Sequence, residues 1–427
     1  GHSESLKRDL GVRDLAALGL AAIVGAGIFS TVGKACSDGG PAVSLLFIGI
    51  AIACGFSALC YAEFASMLPV EGSAYAYAYG TIGEFFAWII GWGLILEYAM
   101  GSMTVAVSWS GYFNKLLKMF HIALPDWLTQ DPGSYTGTGF SMNLPAFLIV
   151  LFVLSILLKG TKGAAKANNF IVMLKVSAVL FVIIAGAFFI NPANWTPFIP
   201  DVANVMEGEN IKEAYGWAGV ISGASAIFFA YVGFDAVSTQ AGEAINPKKD
   251  VPFAIVMSLL VCTALYILVS LVLTGMMSYK DFDPKGTYPD AIKAPVAYAF
   301  DIAGQAWAGY IITIAATVGL ISVLMVMIMG QSRIFLGMSK DGLMPKVFSE
   351  VHSKFRTPAK NNLLFMLIVS LFAAFVPARV VGEMTSIGTL FAFILVCIGV
   401  LIMRNKMPEA PRAFRTPFVP FVPLAGV

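Results

Sequence analysis

The chain has little charge: only 12% of its 427 residues are Asp, Glu, Lys or Arg, against roughly 25% in a soluble domain. Histidine is almost absent. Beyond His2 there are only His121 and His352, both outside the apolar runs, so a histidine-based metal site or nucleophile has nothing to draw on. The five cysteines (Cys36, Cys54, Cys60, Cys262, Cys397) are odd in number, lack a CxxC pair and lie mostly inside apolar runs. They imply neither a disulfide nor a metal. A phosphate loop is missing too, because Gly33-Lys34 is followed by Ala35 and Cys36 where Ser or Thr is needed. Hydrolysis of ATP by this chain is therefore excluded as a driving force. No cofactor or nucleic-acid partner is expected, nor a cleavable signal peptide, since glycines interrupt the first apolar run and more runs follow it. Gly1-His2-Ser3 reads as the remnant of a tag.

What the chain has in abundance is apolar length. Hydrophobic residues make up 58% of it and the mean hydropathy is +0.81, so lipid is its solvent. A run of about 20 apolar residues crosses the roughly 30 Å hydrocarbon core of a bilayer. Such runs fall near residues 14–36, 42–67, 86–113, 144–158, 167–190, 215–240, 253–277, 307–329, 361–377 and 383–403, which are numbered here as spans 1 to 10. With the N-terminus inside, 18 of the 27 Lys and Arg fall in cytoplasmic segments and 8 in external ones. The positive-inside rule thus predicts a cytoplasmic N-terminus in a multi-pass protein of the cell membrane. The densest basic stretch is an inner loop holding Arg333, Lys340, Lys346, Lys354, Arg356 and Lys360, in which "SKDGLMP" predicts a short amphipathic helix ended by Pro345. After Arg404 a polar, proline-rich linker leads to Phe418, where an eleventh span is expected to begin and to be cut short at Val427.

Two spans carry an interruption at matching places. The centre of span 1 is Gly25-Ala26-Gly27-Ile28-Phe29, and that of span 6 is Tyr231-Val232-Gly233-Phe234-Asp235. These spans open two sets of five helices, and the second set enters from the opposite side because five is odd, the pattern of an inverted repeat. Residues 14–190 form the first repeat, 191–403 the second, 1–13 an inner N-terminus and 404–427 the linker and nascent span. Irregular backbone survives within a bilayer only where protein buries it or a cavity lines it. A break aims the free N–H groups of one half-helix at a ligand, suiting a carboxylate, and leaves free carbonyls on the other, suiting an ammonium. The pair matches both ends of a zwitterionic amino acid. Close helix packing is the competing explanation of such glycines, as expected for Gly219 and Gly223.

Few ionisable residues lie at membrane depth. Glu97 stands about eleven residues from either end of span 3, roughly 16 Å deep, on a face of Gly93, Glu97, Gly101, Thr104 and Ser108. Lys175 lies within span 5, where a charged lysine costs roughly 2.5 to 3.5 kcal/mol. Removal from water disfavours its ammonium form, so it is a candidate proton carrier. Snorkelling or a permanent salt bridge is its structural alternative, and a hydrogen bond to a neighbouring helix is that of Glu97. Asp235 is expected to cap or brace the inner half of span 6, with gating as the sharper alternative. Glu243 and Asp250 are expected to be solvated beside an inner loop.

The stretches "GLAAIVGAGIFSTVG", "LPVEGSAYAYAYGTIGE", "FFAYVGFDAVSTQAGEAINPKKDVP" and "SRIFLGMSKDGLMPKVFSEVHSKFRTP", taken in order, resemble the amino acid-polyamine-organocation superfamily. Within it the chain is most similar to the cationic amino acid transporters and their bacterial relatives. The resemblance implies an all-α polytopic membrane protein with the five-plus-five inverted-repeat (leucine-transporter) fold and discontinuous helices 1 and 6. By motif, the backbone of Gly25, Ala26, Gly27 and Ile28 would hold the substrate carboxylate, and carbonyls near Ile23 and Phe228 the ammonium. Phe229 falls at an aromatic outer gate, beside Val232. Lys175 matches the span-5 lysine that stands where sodium-coupled relatives bind their ion, and Ser322 on span 8 would neighbour it.

The substrate's side chain stays open. Glu97 is the carboxylate available to a cationic substrate, whereas Met325, Met327 and Met329 suit small neutral ones or simple packing. Proton symport and exchange without protons both fit, and an accessory subunit is undetermined. A membrane enzyme would want convergent His, Cys or paired carboxylates, and a channel a continuous polar lining. The spans offer neither.

Overall fold

A computed structural model describes residues 8–427 apart from 26, 69–71, 134, 136, 159–160, 208–209, 283–293, 352–357 and 377. Helix dominates because a helix satisfies its own backbone polar groups, which lipid cannot do. In chain order the helices begin with α1 (Val12–Ile23), α2 (Val32–Gly39), α3 (Val43–Met67), α4 (Ala74–Thr81), α5 (Glu84–Met119), α6 (Leu144–Leu157) and α7 (Thr161–Ala187). Then come α8 (Gly216–Ser222), α9 (Ala224–Tyr231), α10 (Ala236–Thr239), α11 (Pro247–Met276), α12 (Pro295–Ile302), α13 (Ala306–Lys340), α14 (Ala359–Phe375), α15 (Ala378–Lys406) and α16 (Phe421–Gly426).

Among the described residues seven helical stretches are long and apolar enough to cross a bilayer, and the bent pair Gly216–Ser222 and Ile227–Thr239 makes an eighth. The shorter apolar helices Leu144–Leu157 and Ala359–Phe375 coincide with spans 4 and 9. All ten expected spans therefore fall on apolar helices. One departure from an all-helical chain is an antiparallel hairpin between spans 5 and 6, β1 (Ala203–Glu207) and β2 (Asn210–Ala214), in a stretch without the apolar run that would fix a span. The apolar stretch expected to open an eleventh span forms the six-residue α16 beside α3 and α15.

Apolar side chains such as Phe85, Phe170 and Ile184 face outward, while Glu97, Lys175, Asp235 and Arg333 are buried. This polarity, inverted relative to a soluble protein, lets glycines bring helices together. A Cβ at Gly101 of α5 would lie 2.7 Å from Met327 Sδ of α13, and one at Gly319 of α13 would lie 3.0 Å from Lys175 Cβ of α7.

Three expectations at one end of the bundle are corrected. The "SKDGLMP" stretch is not a separate amphipathic helix: α13 runs unbroken to Lys340, and Asp341-Gly342 form its terminal turn, with Gly342 at φ +82°. Arg333 is accordingly in α13 rather than in a loop. Glu243 is not solvated; it is buried, and its carboxylate takes Arg333 Nε at 2.7 Å and NH2 at 2.6 Å. Two charges that hydropathy assigns to water instead neutralise one another. Glu243 also holds the chain's start, its carbonyl accepting from Asp9 N–H (3.1 Å) and Leu10 N–H (3.0 Å).

A second buried carboxylate organises the chain's other end. Glu63 of α3 accepts from Arg404 (2.8 and 2.9 Å), Arg412 (2.9 Å) and the Thr416 amide (2.8 Å). The proline-rich linker is thereby strapped across α3 and α15.

Candidate functional site

The site forms where two helices stop. α1 ends at Ile23; Val24 is extended (ψ 94°) although its N–H still closes onto Leu20 O. Helical turns resume at Gly27–Thr31 as a π-type turn that runs into α2. Ala26 lies outside the described residues. α9 ends at Tyr231, Val232 is extended (ψ 133°), and Gly233 takes φ +116°, a conformation suited to glycine. A separate bend of 41° lies earlier in the same span, between Gly216–Ser222 and Ile227–Thr239.

The two interruptions face one another. A Cβ on Gly27 would lie 2.7 Å from Ala230 Cα, one on Gly233 would lie 2.8 Å from Ala22 Cβ, and one on Gly25 would collide with Val323 of α13. Packing and interruption are thus not alternatives here, since the same glycines serve both.

Side chains from neighbouring helices serve the backbone groups that the interruptions release, as buried backbone groups require. Lys175 Nζ of α7 donates to Ala21 O at 2.8 Å and Tyr112 Oη of α5 to Phe29 O, while within the turn itself Thr31 Oγ1 donates to Gly27 O at 3.0 Å. Tyr266 Oη of α11 stands between Ile23 O and Ala230 O, 2.8 Å from the latter. A phenol has one proton for these two acceptors, so one carbonyl is always open to another donor. Ahead of the first closure, Phe29 N–H to Gly25 O at 3.0 Å, come the amides of Gly27 and Ile28. The arrangement offers N–H groups on one side and a partly free carbonyl on the other.

Tyr266 and Gly319 were missed in the sequence. A lone tyrosine inside the apolar run of span 7 needs a partner for its hydroxyl, and that need was the available signal. Tyr266→Phe is expected to lower stability by about 1–3 kcal/mol, because Ile23 O and Ala230 O both lose their donor. Thermal unfolding of the purified protein in detergent checks this.

Lys175 is fully buried, and its second partner is Ser322 Oγ at 2.8 Å, which in turn donates to Gly319 O at 2.7 Å. Its hydrogen-bond partners are a carbonyl and a hydroxyl, so the salt-bridge alternative does not describe it. It joins α7 to the end of α1 and to α13. Glu97 lies beside Thr389 and Gly388 of α15 and within electrostatic reach of Asp235. Among the described residues neither of its oxygens has a donor at bonding distance. Asp235 occupies the N-cap position of α10 without a capping bond and is held instead by Tyr98 Oη at 2.9 Å, so it braces rather than caps. Phe228 meets Phe393 of α15 edge-on at 6.0 Å. Phe229 and Val232 are buried, as are Met325, Met327 and Met329 on α13, with Met327 against Gly101.

Apolar helices enclosing backbone interruptions, a buried amine and buried carboxylates define a multi-pass membrane protein built as a transporter is. The chain belongs to the amino acid permease family, whose description it matches over residues 10–427. It is 43% identical to the branched-chain amino acid permease BcaP of Bacillus subtilis (strain 168) over 420 residues, 98% of this chain and 86% of that one. It is 41% identical to the methylthioribose transporter of the same organism over 428 residues, 100% of this chain and 88% of that one. The vacuolar cationic amino acid transporter 2 of Arabidopsis thaliana is 35% identical over 417 residues, 96% of this chain and 61% of that one.

Proposed function

We propose that this chain is a secondary active transporter that takes up small neutral L-amino acids with a proton by alternating access. The observation that carries the reading is the facing pair of interruptions, with the amides of Gly27 and Ile28 toward a carboxylate and the Ile23 and Ala230 carbonyls, shared by one tyrosine proton, toward an ammonium. The name of the BcaP relative supports a neutral side chain. Cationic substrates are a second reading, favoured by the unpartnered Glu97 carboxylate. In this reading the chain lies in the cell membrane with its N-terminus inside. Residues 14–190 and 191–403 are the two inverted repeats of a leucine-transporter fold, and 404–427 lead on from them.

Proton coupling is assigned to Lys175. Its partners are two uncharged oxygens, so gain or loss of its proton changes what it offers Ala21 O at the end of α1. An amine that loads and unloads there links the proton to the interruption that binds substrate. Exchange without protons is the competing mechanism, and one experiment separates them. Proteoliposomes in sodium-free buffer are given labelled alanine with and without an inward proton gradient. The wild type is expected to accumulate substrate only with the gradient, and Lys175→Ala to lose at least about tenfold of that accumulation, a coupling energy of about 1.4 kcal/mol. Accumulation indifferent to the gradient rejects the coupling.

A further inference from the structure

Apart from Lys175, the bundle holds a second group of buried ionisable side chains that the neutral-substrate reading does not use. Glu97 of α5 is 1% exposed, Asp235 at the head of α10 is 0% exposed, and the charge of Asp235 bears on Glu97. Among the described residues neither makes an ion pair, and both Glu97 oxygens and Asp235 Oδ1 are unpartnered. The hydroxyls of Tyr61 on α3 and Tyr77 on α4 are unpartnered as well, and both stand within electrostatic reach of Asp235.

The titratable groups facing the pair are Tyr61 from α3, Tyr77 from α4 and Tyr98 from α5, with Cys397 of α15 behind Tyr61. Thr389 of α15 adds an uncharged hydroxyl. The buried cations elsewhere are committed: Arg333 to Glu243, Arg404 and Arg412 to Glu63, and Lys175 to Ala21 O and Ser322.

Tyr98, the neighbour of Glu97 in α5, bonds Asp235, and two like charges within reach of one another in a medium of low dielectric, without a cation, repel strongly and gain nothing from solvent. Such pairs settle by sharing one charge, as carboxyl dyads do, and then titrate as a unit. The partners decide which member keeps the charge. Asp235 has a donor in Tyr98 Oη at 2.9 Å, whereas Glu97 has the Thr389 hydroxyl beside it but, among the described residues, no donor at bonding distance. We propose that Glu97 and Asp235 form a second proton site, separate from Lys175, in which Glu97 carries one proton and Asp235 the negative charge.

The site has a way out. Ser238 Oγ, one turn beyond Asp235, lies 2.7 Å from Ser73 Oγ at the start of α4. Helix α4 also carries Tyr77, and its Tyr75 reaches Asp341 at the end of α13 at 2.8 Å. Tyr77, Ser238 and Ser73 thus line a hydroxyl path from the pair toward the end of the bundle where Leu10 and Glu243 meet. Loading adds one proton to a Glu97 oxygen and cancels one negative charge of the pair; unloading returns that proton to water. Because Asp235 begins α10, the change acts on the segment just past the Gly233 interruption.

The test is infrared spectroscopy of the full chain in lipid, in H2O and D2O at neutral pH. The wild type should show the C=O stretch of a protonated carboxylic acid, shifting on deuteration. Glu97→Gln should lose that band. Glu97→Asp should keep it at a shifted position, and serves as the informative variant if the glutamine protein does not fold. Lys175→Ala should leave it in place. A wild-type spectrum without the band, or one that Glu97→Gln leaves unchanged, overturns the proposal. The outcome does not depend on the transport reading, since a Lys175→Ala protein that accumulates alanine normally would reject coupling at Lys175 and leave the band untouched.

Discussion

Gly27→Val is expected to abolish substrate binding, with affinity falling by about a hundredfold or more, equivalent to roughly 2.7 kcal/mol. The first added carbon already meets Ala230 Cα at 2.7 Å and Tyr266 Oη at 3.0 Å. Backbone cannot swing aside as a flexible side chain does, and overpacking of this kind costs about 1–3 kcal/mol before the two further methyl groups of valine are placed. Relief requires the two interruptions to separate, which carries the Gly27 and Ile28 amides away from the carbonyls they oppose. Gly27→Ala should show the same loss in weaker form. Equilibrium binding of labelled alanine to monodisperse protein checks both, and undiminished affinity in the valine variant would move the carboxylate site elsewhere.

Arg333→Met should destabilise the protein by about 3–5 kcal/mol, because it leaves the Glu243 carboxylate buried without its cation. Glu243 is 1% exposed and its carbonyl anchors Asp9 and Leu10, so the loss should include release of the chain's start from the loop after α10. The double variant Arg333→Met/Glu243→Gln should recover most of the loss, since no unpaired charge remains. Arg333→Lys should recover only part of it: an ammonium keeps the charge but not the fork that places Nε and NH2 on one oxygen. Thermal unfolding in detergent, with limited proteolysis at the N-terminus, reads both effects. Equal stability of the single and double variants would show that the unpaired Glu243 charge is not what destabilises the single variant.

These two sites differ in how far the sequence disclosed them. The glycines of spans 1 and 6 were legible because irregular composition stands out in a run that otherwise wants Leu and Ile. Lys175 was legible for the same reason, as a charge where charge is expensive. The Glu243–Arg333 pair was not, because its members are 90 residues apart. Polar residues stand near each, Gln240 and Asn246 about Glu243 and Gln331 and Ser332 before Arg333, and hydropathy reads such a stretch as water. The end of α13 was misplaced on similar grounds, since its apolar character fades after Met329 while its backbone remains helical to Lys340. Tyr266 was passed over because an aromatic ring in a membrane span is usually packing. Only the positions of Ile23 O and Ala230 O reveal what its hydroxyl is for.

The length of α13 has a mechanical consequence. Its 35 residues extend about 52 Å, well beyond the roughly 30 Å of hydrocarbon. Along that rod Ser322 receives Lys175, Val323 fills the space at Gly25, Arg333 grips Glu243, and the terminal turn holds Tyr75. Ser322 stands about 27 Å from the Lys340 end, and a tilt of about 10° about that point would sweep that end through roughly 5 Å. A displacement of that size would part a contact at the tip such as that of Tyr75 Oη with Asp341 at 2.8 Å.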